Sequence, residues 1–468
     1  MRKIILWLFA IALISRAIVA IIQIAYGISS ELNYETYIYG YFNPGLEIYH
    51  DFYGYYVTQL IDLSKGMMPY KDFAYSYPPL FLYSLYPFFK LGGEYAASIP
   101  ILLADAATSP LIYVIVRRFA GERISLAAGI SYAISPFFLI YEGYLWFSSQ
   151  PMTFFLLLAI YLLFNNKLFY SSAVLAIAIL FKQEILFILP FYFMWCLKYY
   201  KRSDIEKGII IIVATLGIVS LPFLLATPGG YVTSVSYATL DHSYIPPLSS
   251  VAISGNSTQT ASSIGTQSLT CSLVSNTWRS SVCNYGSLTY TDFKSQLSWT
   301  VIFSWPFLNI ISPFLALPLI GVSLYYTYVL RRADKSFTIL SGLILLVFIT
   351  IFDIEIHSIF RYYFIPVYAL LLIATTDRYS LGISIGAPLV SLVLPSGAVQ
   401  LLPPLIGMLA ILFRDYWKSL PNNSIFLQDQ LRSPSLASVA NSIQKDAIHT
   451  TNQMDLISIW FLIFIHPY

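Results

Sequence analysis

The chain has 468 residues, 57% hydrophobic and only 10% charged, whereas soluble domains carry about 25% charged residues. Its surroundings are therefore lipid, and a net charge of +3 is too small to argue for a nucleic-acid partner. Three cysteines exclude a disulfide scaffold, while 38 tyrosines suit membrane interfaces, where the ring is buried and the hydroxyl stays wet.

Arg2 and Lys3 precede an apolar run over 4–27. This fits one spanning helix, which needs about 20 apolar residues, and is too long for a signal peptide. Arg16 lies inside that run, where a cation is costly and faces protein or a cavity. It is either a functional cation or the partner of an internal acid or of backbone carbonyls. Residues 29–77 then form an outer loop holding Glu31, Glu35, Glu47, Asp51, Asp62 and Asp72 against Lys65 and Lys71. The apolar stretch 78–89 is too short to span and is predicted to lie on the outer surface. A span over 96–116 ends at Arg117, Arg118 and Arg123, a basic cluster that belongs in the cytoplasm.

The same accounting sends 124–141 outward and leaves 142–150 as an outer loop. Residues 151–164 return to Lys167, and 168–181 go out to Lys182-Gln183-Glu184. Residues 185–197 return to Lys198, Lys201, Arg202 and Lys207, and 208–226 go out again. Next is a polar outer excursion over 227–298, with the sequon Asn256-Ser257-Thr258 and with Cys271 and Cys283, which either pair outside the cell or stay free. Further spans cover 300–330, 337–352, 362–375, 381–394 and 399–413. The total is about twelve, with both termini cytoplasmic, and the polar tail over 419–468 reads as disordered.

The outer face thus collects Asp51, Asp72, Glu142, Lys182, Glu184, Glu355, His357 and Arg361. Carboxylates beside cations at one membrane surface suit an anionic, lipid-borne substrate. A carboxylate can take a proton from an attacking hydroxyl, and Lys and Arg can hold phosphate. Each residue also has a plainer role. Asp51 can be a solvated acid and Asp72 a helix cap. Lys182 can snorkel to the interface, His357 can be a surface histidine, and Asp105 can bond neighbouring helices. No Walker loop, HExxH or paired CxxC occurs, so neither a nucleotide loop nor a structural zinc site is supported and no cofactor is called for by motif.

These residues resemble the GT-C superfamily of polytopic glycosyltransferases, and most closely its dolichyl-phosphate-glucose/mannose-dependent members. The resemblance rests on Asp51, on Tyr77-Pro78-Pro79-Leu80 and on Ala104-Asp105. It extends through the aromatic stretch Tyr144-Leu145-Trp146-Phe147-Ser148-Ser149-Gln150 and Lys182-Gln183-Glu184 with Leu189-Pro190, to His357 with Ile365-Pro366. Ser76 stands where that family has an acid directly before Tyr-Pro-Pro, and the paired His motif is reduced to Glu355-Ile356-His357.

The resemblance implies an all-α polytopic enzyme with a catalytic first outer loop. Its catalytic module would cover 1–226 with the outer loop at 28–94, then the polar loop 227–298, C-terminal spans over 299–418 and the tail. It would transfer a hexose from a polyprenyl-phosphate sugar to an acceptor hydroxyl of a lipid-linked glycan or glycoprotein, with inversion. Asp51 would be the general base, Lys182 and Arg361 would hold the phosphate, and His50, Asp72, Tyr75, Tyr77, Glu184 and His357 would line the substrate site. With no C-terminal retention signal, a prokaryotic, archaeal cell membrane is the expected location. The rival reading is a transporter or flippase of a lipid-linked or anionic solute, which would need polar groups at mid-membrane. Of these, Arg16 and Asp105 are the ones expected to lie deep.

Overall fold

A computed structural model describes residues 1–25, 52, 56–73, 75, 77–232, 235, 338–339, 341–343, 345–346, 361–394 and 401–419. The described residues are helical apart from turns and one isolated bridge between Pro69 and Phe73. The chain divides into two compact units, Met1–Ala410 and Ile411–Tyr468. The described part of the second is the C-terminal portion of one helix.

The first unit opens with α1 (Arg2–Ala25) and, after the described Phe52, a short α2 (Thr58–Ser64). Then come α3 (Leu80–Ala97), α4 (Ile99–Val116) and α5 (Glu122–Ile134). A single turn, Pro136–Phe138, leads into a π-helical turn, Leu139–Tyr144. Next are α6 (Ser149–Phe164), α7 (Leu168–Phe181), a 3-10 turn (Gln183–Ile188), α8 (Leu189–Tyr199) and α9 (Arg202–Ala226). After the 3-10 turn Arg361–Phe364 come α10 (Ile365–Ile373), α11 (Arg378–Val393) and α12 (Leu402–Ser419), which runs into the second unit.

Among the described residues, four helical stretches are long and apolar enough to cross a membrane: Arg2–Ala25, Ile99–Val116, Glu122–Tyr144 and Arg202–Ala226. On α1 and α9 large apolar side chains such as Trp7, Ile14, Ile218 and Leu225 face outward, the pattern of a surface in lipid rather than water. The chain is a membrane protein. Helices α6 and α7 are shorter, at about 24 and 21 Å for 16 and 14 residues, and are largely buried. Here α6 lies on α7, α7 on α9, and α4 against α1, α5 and α6. The expected span over 185–197 differs: its start is the 3-10 turn, and α8 has 11 residues, about 16 Å. Helix α3 is not one of the spanning candidates. It bends at Gly92 and Gly93, and Gly93, at φ +71°, takes a left-handed conformation that side chains rarely adopt.

Small residues let these helices approach. Gly129 on α5 sits where a Cβ would come within 3.1 Å of Leu8 and 3.2 Å of the Ser109 carbonyl. The Ser109 hydroxyl donates to the Gly129 carbonyl at 2.9 Å, a link typical of membrane bundles. Arg118 donates to Asn165 at 2.9 Å, and the Tyr200 hydroxyl donates to the Leu163 carbonyl at 3.3 Å. The basic turns around Arg118, Lys167 and Lys201 therefore meet at one end of the bundle. The candidate site residues gather at the other end of α6.

Candidate active site

Helix α7 stops at Phe181, and Lys182 leaves it in an extended conformation. This turns the side chain back into the bundle instead of outward to the interface. Lys182 is 2% exposed. Its ammonium lies 3.3 Å from Glu184 Oε2 and 3.4 Å from the Ser149 hydroxyl, which accepts from it. It also lies 4.1 Å from the centre of the Tyr363 ring and 5.9 Å from that of Tyr77, within reach of cation–π attraction. Burial pushes the Glu184 carboxyl above its ordinary range, opposed by the charge and hydrogen bond of Lys182. Among the described residues, Glu184 Oε1 is buried without a hydrogen-bond partner.

Described residues between Phe52 and Tyr77 pack around this group. Tyr56 donates to the Ser148 hydroxyl at 2.9 Å and its ring meets Phe81 edge-on at 4.7 Å. Phe52, next to Asp51 in sequence, meets Trp146 edge-on at 4.9 Å. Tyr75 is buried between Tyr70 and Tyr77, at 5.8 and 6.0 Å. The Tyr70 hydroxyl donates to the Tyr77 carbonyl at 2.6 Å. Asp72 caps no helix. It closes its own turn, accepting from the Met68 amide at 2.7 Å.

Of the site residues expected from the sequence, the structure thus brings Tyr77, Lys182 and Glu184 together, with Tyr75 behind Tyr77 and Asp72 in the adjoining turn. His50, Asp51 and His357, with Cys271 and Cys283, lie outside the described residues. Arg361 is described by its backbone, which opens the 3-10 turn carrying Tyr363. Tyr56, Ser148, Ser149 and Tyr363 are additions that the structure makes to the site. The signal for them in the sequence is the Ser148-Ser149-Gln150 run and the position of Tyr363 two residues after Arg361.

Glu142 departs from expectation: it is buried with Arg16 and Asp105, not set on an outer loop. The reason lies in Pro136. A proline has no N–H, so the Tyr132 carbonyl four residues earlier loses its helical donor. Ser135 turns extended ahead of Pro136, ending α5. Arg16 meets the exposed acceptors, donating from Nη2 to the Tyr132 carbonyl at 3.1 Å and from Nη1 to the Ala133 carbonyl. Its Nε and Nη2 hold the two Asp105 oxygens at 2.6 and 3.3 Å, and Nη1 reaches the Ser15 hydroxyl at 3.1 Å. Every guanidinium donor is engaged. Arg16 is therefore the partner of an internal acid and of carbonyls, the second of its two sequence readings.

Lysine, carboxylate, serine and tyrosine side chains thus meet at one end of an apolar helix bundle. Residues 76–225 match the family described as dolichyl-phosphate-mannose-protein mannosyltransferase, a GT-C superfamily family, which bears out the resemblance read from the sequence. The match spans Tyr77, Ser149, Lys182 and Glu184. No curated protein and no solved structure matches the chain.

Proposed function

We propose that this chain is a GT-C-type hexosyltransferase that moves a sugar from a polyprenyl-phosphate donor to an acceptor hydroxyl at the outer membrane face. The observation that carries the reading is Lys182. It is a buried ammonium flanked by Ser149, Glu184 and two tyrosine rings, inside the stretch that matches a mannosyltransferase family. An ammonium in such a site supplies a point charge for a phosphate oxygen, and Arg361, on the turn that carries Tyr363, supplies a second.

In the reaction, the acceptor oxygen bonds to the anomeric carbon as the bond to the phosphate oxygen breaks. The sugar inverts and the polyprenyl phosphate leaves with the bonding pair. Asp51 takes the hydroxyl proton. Lys182 and Arg361 stabilise the charge that grows on the leaving phosphate. Tyr75 and Tyr77, with His50, Asp72, Glu184 and His357, shape the site around the sugar and phosphate.

The test is transfer of label from a panel of polyprenyl-phosphate sugars to lipid-linked and peptide acceptors, using the full chain in lipid nanodiscs. Label should reach an acceptor from at least one donor, and Lys182→Ala should weaken it. Transfer from none of the donors would refute the reading. Facilitated movement of a donor across vesicles without transfer would favour the transporter.

A further inference from the structure

The cluster around Arg16 takes no part in the mechanism above, yet its last member, Glu142, sits in the turn that enters the site. The Tyr132 hydroxyl lies 2.7 Å from Asp105 Oδ1 and 2.9 Å from Glu142 Oε2. Glu142 Oε2 is also 3.8 Å from Arg16 Nη2. Glu142 is 0% exposed. These contacts join α1, α4 and α5 to the π-helical turn Leu139–Tyr144. Such turns insert a residue and recur at functional sites.

The residues just after this turn are the ones that touch the site. The Leu145 amide closes the turn on the Ile140 carbonyl at 3.0 Å. Trp146, at a left-handed φ of +54°, donates its indole N–H to the Gly143 carbonyl at 2.8 Å. That ring is the one Phe52 leans on. Ser148 and Ser149 come next, holding Tyr56 and Lys182 respectively. The turn also packs on α1, where a Cβ added at Gly143 would sit at ordinary contact distance, 3.5 Å, from Val19.

We infer that Glu142 is a positioning residue: by tying the π-helical turn to the Arg16–Asp105 pair, it fixes the stretch 145–150 that presents Trp146 to the Phe52 segment and Ser149 to Lys182. Its effect on turnover rests on the transferase reading; its effect on the turn does not. The hydrogen bonds between Arg16 and Asp105 do not run through Glu142, so the helices should remain docked in Glu142 variants.

The test uses the full chain in nanodiscs with Glu142→Ala and Glu142→Gln. Glutamine keeps the side-chain length and an acceptor for the Tyr132 hydroxyl. In Glu142→Ala, amide hydrogen exchange over 139–150 should speed up roughly tenfold or more, with α4 and α7 unchanged. Donor kcat/KM per folded molecule should fall by about the same factor. Glu142→Gln should restore both. Unchanged exchange over 139–150 in the alanine variant, acceleration spread equally over α4 and α7, or a glutamine variant indistinguishable from alanine would each overturn the inference. If the wild type transfers no sugar, the transferase reading fails and the exchange data alone decide the role of Glu142.

Discussion

Replacing Lys182 with methionine removes a buried charge while keeping most of the side-chain volume. The pair it breaks is close: at the 3.3 Å separation from Glu184 and an effective dielectric of about 20, the gross attraction is about 5 kcal/mol. Desolvation offsets much of that when both partners are present, but a lone Glu184 keeps its share of the cost. Breaking a buried pair from one side typically costs about 3–5 kcal/mol. Lys182→Met should therefore lose stability and donor use together. The double variant Lys182→Met/Glu184→Gln separates the two effects. With neither charge left, stability should return toward wild type, while donor use stays down by roughly 10- to 100-fold for a lost charged contact of about 1.5–3 kcal/mol. Thermal unfolding in nanodiscs and donor-dependent transfer measure the two quantities. If the double variant regained wild-type donor kcat/KM, Lys182 would be a structural cation and the phosphate would bind elsewhere. If Lys182→Met alone left unfolding unchanged, the buried pair would not hold this part of the bundle.

Three further outcomes are expected. Asp51→Asn should fold and bind donor yet lose about 10²–10⁴-fold in transfer, whereas Asp72→Asn, which retains an oxygen for the Met68 amide, should lose far less; the opposite ranking in a steady-state transfer assay moves the base to Asp72. Cysteines placed at Lys71, Ser257 and Ser358 should react with an impermeant thiol reagent from outside and those at Arg118 and Arg202 should not, so outside labelling at Arg118 would invert the orientation. Because burial raises the Glu184 carboxyl, its contribution is fully present below the ordinary carboxylate range and is lost as pH rises through the raised value. Unfolding curves should thus move in favour of Glu184→Gln over that window, by up to about 1.4 kcal/mol per pH unit, and parallel curves would rule the effect out.

The parts legible in the sequence are those set by local charge and hydropathy. Basic residues mark the turns at Arg117, Lys167 and Lys201, and contacts such as Arg118 to Asn165 bring those turns to one end. Lys182 and Tyr77 stand out as polar or aromatic residues at the ends of apolar runs, and they do converge. Glu142 is misplaced by hydropathy, which treats a carboxylate after an apolar run as a loop and cannot see that three other helices supply Arg16, Asp105 and Tyr132. Ser149 and Tyr363 are marked only by their neighbours, the Ser148-Ser149-Gln150 run and Arg361, because a serine at a helix start and a tyrosine among many carry nothing of their own that points to the lysine they meet. Over 185–197 the structure divides one predicted span into a 3-10 turn and the 11-residue α8, a change of winding that apolar composition does not encode.

The Arg16–Asp105 pair also bears on how the chain is assembled. The two residues are 89 positions apart, and synthesis at about 5–20 residues per second separates their emergence by roughly 4–18 s. Throughout that interval α1 holds a guanidinium in an apolar helix with neither its acid nor the carbonyls ahead of Pro136 yet made. An arginine at the middle of an inserting helix costs about 2.5–3.5 kcal/mol, which the surrounding leucines and isoleucines of α1 must outweigh on their own. Helix α1 is therefore only provisionally seated when it is made, and the arrival of α4 and α5 commits it to its place.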